Sequence, residues 1–178
     1  MTDNGGNPVR TIQTAEELLA YSLAMETEAV ERFNDLAEQM ETHHNYEVAD
    51  LFHKLAKIEG LHIDNVKKAS KGKKLPDLLA WEYEWEGGES PEGGSMDEAH
   101  YLMRPWHAIE LAMHGEMRAA AFFRHVAETA TDETVREMAL KLLEEEEEHV
   151  ALLKQWRERF PKPAEGWDED LDPPTMLE

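Results

Sequence analysis

The same set of residues occurs twice in this chain, on stretches whose apolar residues recur at helical spacing. A glutamate is followed seven residues later by a phenylalanine, and a Glu-x-x-His pair comes after them. In chain order these residues are Glu26, Phe33, Glu59 and His62, and then Glu116, Phe123, Glu146 and His149. The distance along the chain between the paired glutamates is nearly the same in both halves. Inward carboxylates and imidazoles repeated in this way are typical of a four-helix bundle that holds two metal ions.

Four amphipathic segments predict an all-α fold. The first begins at Thr14, where Glu17 stands three residues on as in a capping box, and the second ends near Gly72. The short break at 43–45 predicts that these two helices pack antiparallel. A second pair follows, separated by a break at 129–132 and ended by Pro161. Before it, Pro105 is predicted to interrupt a short helical piece that opens at Ser95.

Residues 72–95 differ from the rest because they contain prolines, glycines and an alternation of aromatic and acidic residues from Trp81 to Glu86. We interpret them as a long crossover along the outside of the bundle, with the aromatics packed on helix surfaces. One long crossover between helices 2 and 3 is the ferritin-like topology. The predicted organisation is a flexible start at 1–13, a four-helix bundle at 14–160 and an extended acidic tail at 161–178.

Composition restricts the classes of function. The chain has no cysteine, which excludes disulfides, thiolate zinc sites and iron–sulfur clusters. Its formal charge is -21, from 39 acidic and 18 basic side chains, and such a field opposes binding to nucleic acid or to anionic membranes. No apolar run approaches the roughly 20 residues that span a bilayer, and no signal peptide is recognisable. We therefore expect a cytoplasmic protein without a membrane or nucleic-acid partner.

The spacing of the Glu-x-x-His pairs predicts how metal ions would be held. Residues three apart lie on one face of a helix, so the carboxylate can bridge two ions while the imidazole binds one of them. The predicted metal and catalytic residues are four glutamates and two histidines, with Glu59 and Glu146 bridging and Glu26 and Glu116 terminal. The alternative is a bundle whose glutamates face solvent. The two phenylalanines are expected in the core. The remaining histidines are expected at the surface or at helix ends, although His114 and His125 could contact the ligand residues without binding metal themselves.

The set of motifs resembles the rubrerythrin family of the ferritin-like superfamily, over roughly residues 14–160. The resemblance implies that Glu26, Glu59, His62, Glu116, Glu146 and His149 bind a pair of iron ions, with manganese or zinc as possible substitutes. It also implies that the reduced centre reacts with hydrogen peroxide or dioxygen.

The chain departs from the family in three places. Peroxidase-type members carry a further glutamate three residues after the third-helix ligand, where this chain has Ala119. The aromatic residue that follows each first glutamate is often tyrosine in the family, but it is Phe33 or Phe123 here. The family's iron–sulfur rubredoxin domain is absent because there is no cysteine, so turnover would need an external electron donor.

Three functions therefore remain open: a di-iron oxidoreductase, a metal-binding or iron-handling protein, and a helical interaction protein whose metal site is only structural. A homodimer is expected in each case.

Overall fold

The computed structural model describes residues 11–85, 90–93 and 99–169. In this part of the chain, four long helices form a bundle without a β-strand, which confirms the predicted ferritin-like fold. The helices are α1 (Ala15–Thr42), α2 (Tyr46–Ala69), α3 (Pro105–Thr129) and α4 (Glu133–Arg157). Among them, none combines the length and the apolar character required to cross a bilayer.

The helix starts follow from side chains that satisfy free backbone N–H groups. The N–H of Glu17 donates to Thr14 Oγ1 at 3.1 Å, and Glu17 in turn accepts from the N–H of Gln13. At the start of α4, Asp132 Oδ1 accepts from the N–H groups of Thr134 and Val135.

The expectation that Pro105 interrupts a helix is wrong. Pro105 is the first residue of α3, where its missing N–H has no carbonyl to bond and its fixed φ suits a helix. The described residues just before it, 99–104, are not helical, and the segment around Ser95 lies outside the described residues.

Two helical hairpins make up the bundle, since α1 packs mainly along α2 and α3 mainly along α4. A three-residue connection joins α1 to α2. Its Asn45 side chain donates to the carbonyl oxygens of Tyr101 and Met103, at 3.2 and 2.8 Å. These bonds fix the α1–α2 connection to the residues that come just before α3.

The apolar core consists of two clusters, and the predicted metal residues lie between them. The first cluster contains the α1 residues that follow Glu26 and the α3 residues that precede Glu116. The second cluster contains the α1 residues that precede Glu26 and the α3 residues that follow Glu116. Phe33 is in the first cluster and Phe123 in the second, as expected for core residues. The first cluster includes Ala29, Leu36, Met40, Phe52, Ile109 and Leu153, and the second includes Leu18, Tyr21, Met25, Trp85, Val126 and Val135.

The crossover packs on the bundle through its aromatic residues. Tyr21 of α1 lies with its ring centroid 4.9 Å from those of Tyr83 and Trp85, and both contacts are edge-to-face. The backbone N–H of Glu84 donates to the Tyr21 hydroxyl at 3.1 Å. The expected packing of the aromatics on helix surfaces is confirmed for Tyr83 and Trp85. Further along the crossover, the described residues 90–93 lie beside α1 and α3.

Residues 161–169 turn back toward the bundle after α4. Trp167 packs against the first core cluster, with its ring 3.8 Å from that of His107. Residues 170–178, the rest of the predicted tail, lie outside the described part of the chain.

Candidate metal centre

Each helix contributes one buried glutamate at the level where the two apolar clusters meet. Glu26, Glu59, Glu116 and Glu146 are each 5 % exposed or less. A buried carboxylate needs a cation or hydrogen-bond donors, because loss of hydration strongly disfavours its charged form. The structure thus places all four predicted glutamates in the interior, and the alternative in which they face solvent is wrong.

The first three predicted residues form one compact group. The His62 Nδ1–H donates to Glu59 Oε2 at 2.8 Å, one turn earlier on α2, and lies 3.5 Å from Glu26 Oε2 of α1. One potential ligand atom from each residue falls within 4.8 Å of the other two. A single ion could therefore contact all three residues.

The other three residues repeat this arrangement in the second hairpin. His149 Nδ1 lies 3.2 Å from Glu146 Oε2 and 3.3 Å from Glu116 Oε2. Their ligand atoms also fall within 4.8 Å of one another. The sequence repeat is therefore a structural repeat, with one group of ligands in each hairpin.

The two histidine rings bring these groups face to face. The rings of His62 and His149 are parallel to within 2°, with centroids 4.2 Å apart. Both side chains are partly exposed, unlike the glutamates around them. The histidines therefore lie on the side of the centre that is nearer to solvent.

Crowded carboxylates shift the titration of the site without metal. Burial raises the pKa of Glu26 to about 7, and the charges of Glu146 and Glu59 add to this rise, while the nearby His62 opposes it. Burial also raises the pKa of Glu116 well above its usual value. Two divalent cations would neutralise four carboxylates and remove this repulsion.

The histidines shift in the same direction for a different reason. Burial alone lowers the pKa of an imidazole, but the adjacent carboxylates of Glu26 and Glu59 outweigh this effect and raise the pKa of His62 to about 10. Glu116 and Glu146 likewise outweigh the effect of burial and raise the pKa of His149 to about 11. In the metal-free protein both imidazoles are therefore protonated at neutral pH and act as counter-ions of the glutamates.

The donor set suits a pair of transition-metal ions. Carboxylate and imidazole are the ligands that iron, manganese and zinc accept. Glu26 Oε2 is buried and has no hydrogen-bond partner among the described residues, as expected for an oxygen that binds a cation. Iron is therefore compatible with these residues, and so are manganese and zinc.

A fifth buried glutamate at this level of the bundle, Glu92, was not predicted from the sequence. It belongs to the crossover, is 5 % exposed, and offers an oxygen within 4.8 Å of ligand atoms from Glu26 and Glu146. Helical periodicity could not identify it because it is not on a helix. A weak signal was its place between Pro91 and Gly93, since an acidic residue in a tight turn has a fixed direction.

The remaining histidines do not enter the three groups of potential ligands found in the described residues. His114 is exposed and His125 is half-buried on α3, and His53 pairs with Glu41 at the surface. Ala119, at the position of the additional glutamate in peroxidase-type members, is buried in the second apolar cluster.

A cavity of about 310 Å³ connects the centre with the surface between α1, α2 and α4. Glu26 and His62 lie at its inner end, and Leu19, Val66 and Met138 contribute apolar wall. Exposed Glu137, Lys141 and Glu145 also line it.

Comparison with known proteins agrees with this architecture. The family model described as Rubrerythrin matches residues 17–157, which include all six predicted ligands. A crystal structure of an uncharacterized conserved protein from Magnetospirillum magnetotacticum MS-1 is similar, with 36 % sequence identity and a TM-score of 0.64. The match covers 85 % of this chain and 98 % of that one. None of the curated proteins compared with the chain matches it. On the family match and the fold together, the chain belongs to the rubrerythrin family.

Proposed function

We propose that the protein is a di-iron oxidoreductase that oxidises bound ferrous iron with hydrogen peroxide or dioxygen. The observation that carries this proposal is the convergence of four buried glutamates and two histidines, one group from each hairpin, on a single layer of the bundle. Four carboxylates balance the charge of two ferrous ions, and six protein ligands leave coordination positions open for an oxidant.

The proposed roles follow from the positions of the side chains. Glu59 and Glu146 would bridge the two ions, because each shares a helix face with a histidine and lies near a glutamate of the other hairpin. Glu26 and Glu116 would be terminal ligands, and His62 and His149 would each bind one ion through Nδ1, the nitrogen that faces the glutamates.

When bound, a ferrous pair supplies two electrons, which is what the reduction of one hydrogen peroxide to water requires. The chain's own residues control access and surroundings. The cavity lined by Glu26 and His62 has a volume of about 310 Å³, which is enough to hold peroxide, dioxygen or a metal ion. The apolar clusters on both sides of the ligand layer exclude bulk water from the rest of the interior.

Stopped-flow absorbance of the anaerobic ferrous protein, mixed separately with peroxide and with dioxygen, tests the proposal. We expect fast growth of a ferric absorbance with at least one oxidant, and repeated turnover once a chemical reductant is present. Zinc-loaded protein is the matched control, since zinc has the same charge and no redox chemistry. Iron that binds but is oxidised no faster than free ferrous iron in the same buffer would contradict the proposal.

A second candidate function is iron handling without turnover. Two observations favour it: the apolar Ala119 beside the centre and the charge of -21, which concentrates cations near the protein. In this case, oxidation would be stoichiometric, one event per loaded site, and the ferric ions would leave on addition of a chelator.

The proposed partners follow from composition. Because the chain has no cysteine to hold an iron–sulfur cluster, we propose that electrons for turnover come from an external donor. We also propose a cytoplasmic homodimer that does not bind nucleic acid. Sedimentation equilibrium at several concentrations would measure the mass of the assembly, and a mass of 20.5 kDa throughout would exclude the dimer.

A further inference from the structure

Among the described residues, Glu92 is the one glutamate of the ligand layer that lies outside the four helices. Its side chain enters the layer from the crossover, on the same side as Glu26 and Glu146. The six residues of the proposed centre form two symmetric groups without it. Its burial therefore needs an explanation of its own, since a carboxylate without a countercharge is destabilising in the interior.

The crossover around Glu92 is held in place by both hairpins. Arg32 of α1 donates from Nη1 to the Glu92 carbonyl oxygen at 3.2 Å, and Arg118 of α3 donates from Nε to that of Pro91 at 2.7 Å. The N–H of Gly93 closes a turn by donating to the Ser90 carbonyl oxygen at 3.0 Å. The backbone that carries this carboxylate is thus fixed on both sides.

The surface of α3 leaves room for this approach. Gly115 precedes the proposed ligand Glu116, and a Cβ atom at Gly115 would lie 3.6 Å from Cγ of Glu92 and 3.7 Å from its Cα. That distance is van der Waals contact, so a side chain longer than that of alanine would displace the crossover. The glycine lets the backbone of the crossover lie directly on the helix.

The surroundings of the carboxylate contain charges of its own sign. An oxygen of Glu92 lies within 4.8 Å of oxygens of Glu26 and Glu146, and all three carboxylates are buried. Glu26 Oε2, in the same group of three carboxylates, is buried and accepts no hydrogen bond from the described residues, with His62 Nδ1 3.5 Å away. Both features indicate a place where a cation would be stabilised.

We propose that Glu92 is a seventh protein ligand of the metal pair, supplied by the crossover and shared with Glu26 and Glu146. This inference rests on the proposed metal centre and adds a residue to it. Oxygens that bind one ion at about 2.1 Å lie about 3–4 Å apart, so a small contraction of the 4.8 Å group is enough to bind it.

A fifth carboxylate ligand would change the net charge of the metal centre. With four carboxylates a ferrous pair is neutral, whereas five carboxylates leave it one negative charge in excess. After oxidation, the fifth carboxylate halves the excess positive charge, so it favours the ferric form. Removing it should raise the reduction potential of a bound iron pair.

Glu92→Gln is the direct test because it removes the charge and keeps the shape. The control is Glu84→Gln, which changes an exposed glutamate of the same crossover. Titration with manganese(II) alone, followed by calorimetry, should show at least about tenfold weaker binding of one ion in Glu92→Gln and unchanged binding in Glu84→Gln. Equal affinity and stoichiometry in Glu92→Gln and the unaltered protein would overturn the inference.

A second measurement does not depend on the folding of a variant. Anomalous diffraction from crystals of the unaltered protein soaked in manganese(II) should place a Glu92 oxygen within about 2.0–2.3 Å of an ion. Two ions bound by the six helix residues, with Glu92 beyond about 3.5 Å from both, would overturn this inference and leave the proposed centre intact. The absence of any ion at the layer would contradict both the proposed metal centre and the inference about Glu92.

Discussion

At the scale of single residues, the parallel stack of His62 and His149 indicates how the metal-free site keeps its charge balance. Both imidazoles carry a proton at neutral pH because glutamates surround them. Two cationic rings 4.2 Å apart repel each other, and only the carboxylates make the stack tolerable. A metal ion needs the nitrogen lone pair that this proton occupies, so ions and protons compete for the same atoms.

Metal binding should therefore release protons and strengthen as pH rises. His62 and His149 have pKa values of about 10 and 11, and Glu26 one of about 7, so several ligands are protonated at pH 7. Calorimetric titration with manganese(II) in buffers of different ionisation enthalpy should show at least one proton released per ion. Affinity should increase between pH 6 and 9. Heats that do not depend on the buffer would contradict this linkage.

The glutamate on α4 provides a test of the ligand assignment. Glu146→Ala should bind at most one metal ion per chain, since it removes an oxygen shared by both halves of the centre. Glu144→Ala is the matched control because Glu144 is exposed on the same helix. Elemental analysis after dialysis gives the stoichiometry. Two ions per chain in Glu146→Ala would remove this residue from the ligand set.

At the scale of elements, the helices could be predicted from the sequence because periodicity, caps and breaks agreed. Thr14 caps α1 as predicted, α4 begins after the predicted break at 129–132, and the stripes of α1–α4 carry the six predicted residues inward. The contribution of the crossover could not be predicted. Its conformation depends on arginines and aromatics from other elements, so no local pattern indicates that Glu92 turns inward. The prediction that Pro105 interrupts a helix was also wrong. The sequence did not show that the residues before Pro105 are not helical, so the proline could not be recognised as the start of α3.

The aromatic anchor of the crossover should contribute strongly to stability. Trp85 is buried against Tyr21 and Phe122, so Trp85→Ala should lower the free energy of unfolding by about 3–5 kcal/mol. Leu79→Ala, in the same segment but 51 % exposed, should change it by less than about 0.5 kcal/mol. Urea denaturation of the metal-loaded proteins measures both. Equal effects would mean that the crossover is not anchored through Trp85.

At the scale of the whole molecule, the layer of carboxylates makes stability depend on bound metal and on pH. The pKa of Glu26 is raised to about 7, so the stabilisation from its proton is complete below about 4.5 and is lost as pH rises through 7. The raised pKa values of His62 and His149 act likewise, with stabilisation complete below about 6.5 and lost as pH rises through 10 to 11. The metal-free protein should thus become less stable from pH 5 to pH 9.

Removal of metal by a chelator should lower Tm, and more so at pH 8 than at pH 6. With free metal at about a thousand times its Kd, the loss is about 4 kcal/mol for each ion removed, or about 8–16 °C per ion for a chain of this size. Calorimetric scans of loaded and chelated protein at both pH values measure it. Excess zinc should restore Tm. An unchanged Tm after verified metal removal would argue against a metal centre in this layer.

The position of the ligand layer between two separate apolar clusters has a consequence for how the chain moves. Without ions, each end of the bundle keeps its own packed interior, whereas the middle contains mutually repelling groups. Backbone amides near Glu26 and Glu116 should then exchange with deuterium faster than those at either end, the reverse of the usual pattern in which a helix opens from its termini. Bound cations would hold the middle of the bundle together, so that the two apolar clusters unfold as one cooperative unit.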